Sequence, residues 1–168
     1  PWNHAPRELS HSAFAQLRAW HAASMHEQHS HITDALSGQK LDALQQCVAI
    51  NVVGGGDASV VVSDARSLAA WLKAQHEERL EGDACEQAPA ALLTAGPAAG
   101  KTTLLSQVMA LSLEGELVPI LIKVQRLQGR LHDAPDAFAS AWNWVDAFLR
   151  LELAEAPTHY RFLRQAML

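Results

Sequence analysis

Cysteine is nearly missing from this chain, while basic runs and long apolar stretches are missing altogether, and each gap closes off a class of function. The two cysteines, Cys47 and Cys85, lie far apart and lack the paired spacing of a zinc or thiol-redox site, so a reducing, cytoplasmic setting is expected. A net charge of -5 and a pI near 6.0 argue against a nucleic-acid partner, whose phosphates are neutralised by clustered Lys and Arg. No apolar stretch approaches the roughly 20 residues that span a bilayer. The opening Pro1-Trp2-Asn3-His4 has neither the basic nor the apolar region of a secretory signal. No internal repeat or low-complexity tract occurs. The start without Met and the stop at Ala166-Met167-Leu168 inside a helical pattern lead us to expect a segment of a longer chain.

What is present suits one soluble domain with an N-terminal extension: 168 residues, 49% apolar and 18% charged. Phe14, Leu17 and Trp20 recur at helical spacing between Arg7 and about Met25, and Ile32, Leu36, Leu41 and Leu44 suggest a second helix to about Gln46, weakened at Gly38. Residues 1–46 are thus expected to be a helical extension. The β-branched stretches 48–53 and 60–62, joined by Gly54-Gly55-Gly56-Asp57, predict two short strands and a turn. Ser63 and Asp64 can cap a following helix to about Leu80, with Leu68, Trp71 and Leu72 facing inward. These elements make residues 47–88 a connecting region, closed by a polar loop from Glu81 to Pro89.

From residue 89 to 168 the rhythm becomes strand, loop, helix, strand. Ala90–Thr94 predicts a buried strand, and the helix from Gly100 to about Leu113 offers Leu104, Leu105, Val108 and Met109 to a sheet. Val118–Val124 predicts the next strand. Asp136 to about Leu153 predicts a helix with Phe138, Trp142, Val145 and Leu149 on one face and Asn143, Asp146 and Arg150 on the other. Pro157 opens a last helix. The expected fold class is α/β: an incomplete parallel-sheet P-loop NTPase of three αβα layers.

The chemistry sits between the first strand and its helix, in Ala95-Gly96-Pro97-Ala98-Ala99-Gly100-Lys101-Thr102-Thr103. Phosphate binding needs a backbone that bends tightly, free amides pointing inward and a cation that reaches the terminal phosphates. Gly96 and Gly100 supply conformational freedom, Ala98 and Ala99 keep side chains small, and the helix start aims its unpaired amides at an anion. Lys101 is the expected catalytic cation across the β- and γ-phosphates, Thr102 the expected Mg²⁺ ligand, and Thr103 an aid near the α-phosphate. The usual pattern has glycine where Ala95 stands, leaving Gly96 for the early turn position.

The run LLTAGPAAGKTTLL followed by ELVPILIKVQRLQ resembles the NACHT-type NTPases of the signal-transducing (STAND) class, over roughly Ala90 to Leu168. The resemblance implies an ATP/ADP- and Mg²⁺-dependent switch that toggles a larger chain between closed and assembled forms, with protein partners or self-assembly through further domains. It also implies an acidic Mg²⁺-binding strand, Asp-Gly-x-Asp-Glu, beyond Leu168, on which hydrolysis of ATP depends.

Two alternatives stand beside the switch. A small-molecule kinase uses the same loop but needs an acceptor base, and Ile122-Lys123-Val124-Gln125 offers no carboxylate. A non-hydrolysing scaffold holds nucleotide as a structural ligand. A guanine-reading Asn-Lys-x-Asp and an LSGGQ-like signature are both absent. His26, His29 and His31 with Glu27 invite a metal, but HEQHSH is not H-E-x-x-H, and a solvated helix face is the expected reading. Gly54–Asp57 is expected to be a flexible turn rather than a second phosphate cradle. Trp142 is expected in the core, Trp144 against a neighbouring domain, and Arg126 and Arg130 as surface charges within reach of the nucleotide end of the sheet.

Overall fold

Residues 65–81 and 101–112 both carry apolar side chains at helical spacing along one face, and burying those faces on each other organises one part of the molecule. The computed structural model describes residues 8–34, 36–46, 63–81, 92–97, 99–115 and 117–167. The chain divides into two units, one formed by Pro1–His21 with Ile120–Leu168 and the other by Ala22–Pro119. Helix α1 (His11–His29) contributes residues to both.

In the Ala22–Pro119 unit, α1 runs into a hairpin of β1 (His31–Thr33) and β2 (Lys40–Asp42), antiparallel, with Ile32 opposite Leu41. This replaces the helix expected over residues 32–46. Asp34 accepts the amides of Ser37 at 2.9 Å and Leu36 at 3.4 Å, together with the Ser37 hydroxyl. Gly38 takes a left-handed φ of 70°. A side chain that captures amides two and three residues on competes with helical bonding, and a left-handed residue ends it. Bonds from Ser37, hydroxyl first, hold the Asp34 carboxyl below the usual carboxylate range. Asp42 likewise accepts the amides of Leu44 and Gln45, both at 2.8 Å, turning the chain after β2.

Helix α2 (Ala65–Glu81) starts where Asp64 and Ser67 cap each other. The Ser67 amide donates to Asp64 Oδ1 at 2.7 Å and the Asp64 amide donates to Ser67 Oγ at 2.9 Å. Helix α3 (Lys101–Ser112) packs on it. Ala65, Leu104 and Val108 form a buried cluster, and Leu68, Ala69, Leu72, Leu93 and Leu111 close around it. Gln107, 5% exposed, donates through Nε2 to the Ala43 carbonyl at 2.8 Å, joining α3 to the turn after the hairpin.

The expected parallel sheet is not the fold. Among the described residues the only β-structure is the hairpin of β1 and β2. Leu92–Thr94 and residues 117–123 form no ladder, and Val124, the expected end of a strand, opens a helix. A strand exists only where a neighbour supplies amides and carbonyls in register. The two apolar stretches have none: Leu92–Thr94 lies in one unit and residues 120–123 in the other. The face of α3 reserved for a sheet is taken by α2, and Leu105 stays exposed. The strands expected at 48–53 and 60–62, the glycine turn 54–57 and the polar loop beyond Glu81 lie outside the described residues.

In the other unit, residues 11–21 of α1 accompany α4 (Val124–Asp133), α5 (Pro135–Ala139), α6 (Trp144–Glu152) and α7 (Pro157–Ala166). The first helix begins at His11, later than the expected Arg7. Phe138, Phe148, Leu149, Phe162 and Leu163 are buried, and Phe14 brings its ring to 5.0 Å from that of Phe162. The single helix expected over 136–153 is two, because Asn143 Oδ1 accepts the Asp146 amide at 2.8 Å and caps a new start. Trp142 therefore falls in the break and is 57% exposed rather than core, as exposed as Trp144. Asp146, expected on the polar face, is buried and accepts the Tyr160 hydroxyl at 2.8 Å. Burial, with this bond next, raises the Tyr160 hydroxyl above its usual range. Pro157 opens α7 as its fixed φ and missing N–H suit the first turn. No helix of the described residues is long and apolar enough to cross a membrane.

Leu104 is 2% exposed and Leu105 44%. Leu104→Ala is expected to lower the stability of the α2–α3 pair by about 2–5 kcal/mol. Leu105→Ala is expected to stay within about 1 kcal/mol. Hydrogen exchange of the α2 and α3 amides measures both, and equal losses contradict this packing.

Candidate functional site

The loop at residues 95–103 owes its position to the core on either side of it. Leu93 packs against the Ala65–Leu104–Val108 cluster just before the loop, and Leu104 belongs to that cluster just after it. Between these anchors Ala95, Gly96, Pro97 and Ala99 are exposed, while Gly100, Lys101 and Thr103 are partly buried. Ala98 lies outside the described residues. Thr102 is exposed on the first turn of α3.

Gly100 is the N-cap of α3 and adopts φ 79°, ψ 18°, in the left-handed region that penalises any residue with a Cβ. Gly96 does not take a positive φ, and a Cβ added there meets nothing within 4 Å. Of the two glycines expected to take unusual dihedrals, Gly100 alone does so in this structure. Being glycine, the cap residue offers no side chain to the helix. The first helical bond runs from the Leu104 amide to the Gly100 carbonyl at 2.9 Å, so the amides of Lys101, Thr102 and Thr103 stand ahead of the ladder.

Lys101 folds back over the loop. Its Nζ donates to the carbonyls of Ala95 and Gly96, both at 2.7 Å. These contacts tie Lys101 back to Ala95 and Gly96, with the ammonium beside the uncapped start of α3. An ammonium has three donors, and the two carbonyls take two of them. The arrangement sets the Nζ charge beside the positive end of the α3 dipole on an exposed stretch of backbone, a combination that favours an anion. The donor set fits phosphate. For Mg²⁺ the loop supplies the Thr102 hydroxyl, and among the described residues no group of three or more His, Cys, Asp or Glu side chains could hold a metal. A Mg²⁺ here would have to take most of its ligands from phosphate oxygens and water, as this ion commonly does.

The remaining candidates fall elsewhere. His26 and His29 lie on α1, but His31 lies on β1, so the three do not share a helix face. Asp42, across the hairpin, feels the charge of His31 and His26, although the Gln45 amide is the main cause of its lowered pKa. Arg126 and Arg130 are engaged by one carboxylate: Glu152 accepts from Arg130 Nε at 2.7 Å and also pairs with Arg126. Both guanidiniums stay largely exposed, as the surface charges expected. A cavity of about 300 Å³ is lined by Arg66, Lys73, Leu111 and Glu114 among others. It includes no loop residue and sits at the far end of α3, roughly 18 Å from the loop by the rise of a 12-residue helix.

Two polar groupings escaped the sequence reading. Asp146 with Tyr160 and Arg164 joins α6 to α7, and His21 with His159 joins α1 to α7. The histidines are 138 positions apart, and no local pattern marks such a pair.

No protein-family model, curated protein or solved structure matches the chain.

Gly100→Ala is expected to cost about 1–2 kcal/mol from the left-handed φ alone and to fray the first turn of α3. The Leu104 amide, first in the helical ladder, should lose hydrogen-exchange protection. Unchanged protection there contradicts the left-handed cap.

Proposed function

We propose that residues 95–103 bind the phosphates of ATP or ADP, and that the chain acts as a nucleotide-dependent signalling or assembly switch like the NACHT-type NTPases it resembles. The observation that carries this reading is the pair of bonds from Lys101 Nζ to the Ala95 and Gly96 carbonyls, beside the uncapped start of α3. The amides of Lys101, Thr102 and Thr103 receive phosphate oxygens, and the remaining Lys101 donor meets a terminal phosphate in a charge-assisted bond. Thr102 offers its hydroxyl to the Mg²⁺ that accompanies the nucleotide, and that ion neutralises charge on the phosphates. The described residues near the loop supply no carboxylate base, so the reading assigns this stretch nucleotide binding and leaves turnover to an acidic strand of the kind the resemblance implies. Protein partners belong to the same proposal, since a switch needs something to switch.

Equilibrium titration with ATP and ADP in the presence of Mg²⁺ tests the proposal. Lys101→Ala is expected to weaken binding by about 10- to 100-fold, the worth of a hydrogen bond to a charged group. Unchanged affinity, or no binding by the unaltered chain, overturns it. Phosphate release that needs Mg²⁺ but no added acceptor favours the hydrolysing switch. Binding without release favours the scaffold.

A further inference from the structure

The cavity at the far end of α3 brings groups of opposite charge together with apolar surface. Its volume of about 300 Å³ lies at the lower edge of small-molecule sites, so it suits a ligand of few atoms. Arg66, Ala69, Ala70 and Lys73 recur at helical spacing and give it one wall from α2. The two alanines leave room along that wall, and Leu111 and Leu117 add apolar surface from the other side.

The α2 wall is positive. Among the described residues no ion pair engages the Arg66 guanidinium, and none engages the Glu114 carboxylate that lines the same cavity. Lys73 pairs with Glu77 at 3.5 Å, but both side chains are more than half exposed, and such a pair is worth little. The end of α3 is negative. Its last turn holds no basic residue to offset the helix dipole, and Glu114 comes just after it. Ser112, also in the lining, gives its hydroxyl hydrogen to the Val108 carbonyl at 2.8 Å, which leaves its oxygen as an acceptor. A simple anion in this cavity meets Glu114 and the negative end of α3, and a simple cation meets Arg66 and Lys73. A ligand that carries both charges on neighbouring atoms avoids both conflicts.

We propose that this cavity binds a free amino acid with a compact apolar side chain. Arg66 takes the carboxylate with its planar fork, and Lys73 adds positive charge on the same wall. Glu114 and the Ser112 oxygen hold the ammonium. The side chain lies against Ala69, Ala70, Leu111 and Leu117. Nucleotide takes no part in this site, so the proposal stands or falls separately from the switch reading.

Titration of the full chain with L-leucine, followed through its amide NMR signals, tests the site. L-leucine is expected to shift the amides of residues 66–73 and 111–115 saturably, with a dissociation constant of about 1 mM, ordinary for so small a ligand. Two analogues, 4-methylpentanoate and 3-methylbutylamine, keep the carbon skeleton and lose one charge each, and both are expected to bind about fivefold more weakly or worse. Arg66→Gln should bring L-leucine down to the level of the decarboxylated analogue, and Glu114→Gln to that of the deaminated one. Both positions are exposed, so neither change touches the core. Absence of saturable shifts at these amides up to about 20 mM L-leucine overturns the proposal. Equal binding of L-leucine and either analogue by the unaltered chain overturns it as well, since one charge then suffices.

Discussion

Packing of α2 on α3 through Ala65, Leu104 and Val108 is the constraint on which the loop at residues 95–103 depends. The loop is anchored at both ends in one small apolar cluster, with Leu93 before it and Leu104 after it. A parallel sheet ordinarily serves this purpose by clamping the strand before the loop and presenting one face to the helix after it. Here a helix pair does the clamping, and the loop carries a left-handed Gly100, amides ahead of the ladder at the start of α3 and Lys101 bound back on the Ala95 and Gly96 carbonyls. The geometry of residues 95–101 thus rests on the loop and its two anchors, and an α/β layer architecture plays no part in it.

Elsewhere, side-chain hydrogen bonds within each unit join residues far apart in sequence. Gln107 reaches the Ala43 carbonyl, Asp146 accepts the Tyr160 hydroxyl, Glu152 gathers Arg126 and Arg130, and His21 meets His159. Apolar contacts such as Phe14 on Phe162 tolerate sliding, whereas a buried hydrogen bond tolerates little, because each unpaired partner keeps its desolvation penalty. These polar contacts are therefore well placed to select one register of helix packing.

Features governed by a few adjacent residues were legible from the sequence. The cap at Asp64, the start of α3 at Gly100 and Lys101, and the opening of α7 at Pro157 each rest on bonds or dihedrals within four positions, although the partner of Asp64 is Ser67 and not the expected Ser63. The reading failed where a local pattern admits two partners. Leu92–Thr94 and Val118–Val124 are apolar enough for buried strands, but pairing is a property of two stretches together. Ile32–Gln46 has apolar residues near helical spacing, yet the Asp34–Ser37 bonds and Gly38 make it a hairpin. Asp146 and Trp142 were assigned to the wrong faces because an asparagine cap at position 143 resets the helical phase.

By itself, then, the sequence determined the starts of α2, α3 and α7 and the make-up of the candidate loop, all of which depend on neighbours along the chain. Tertiary structure alone decided that α3 buries its apolar face on a helix instead of a sheet, and that Glu152 holds Arg126 and Arg130 together. It also decided that His21 lies against His159. Such pairings are free-energy differences between whole arrangements of the chain, in which burial of one face competes with every other way of covering it, and no single stretch carries that comparison.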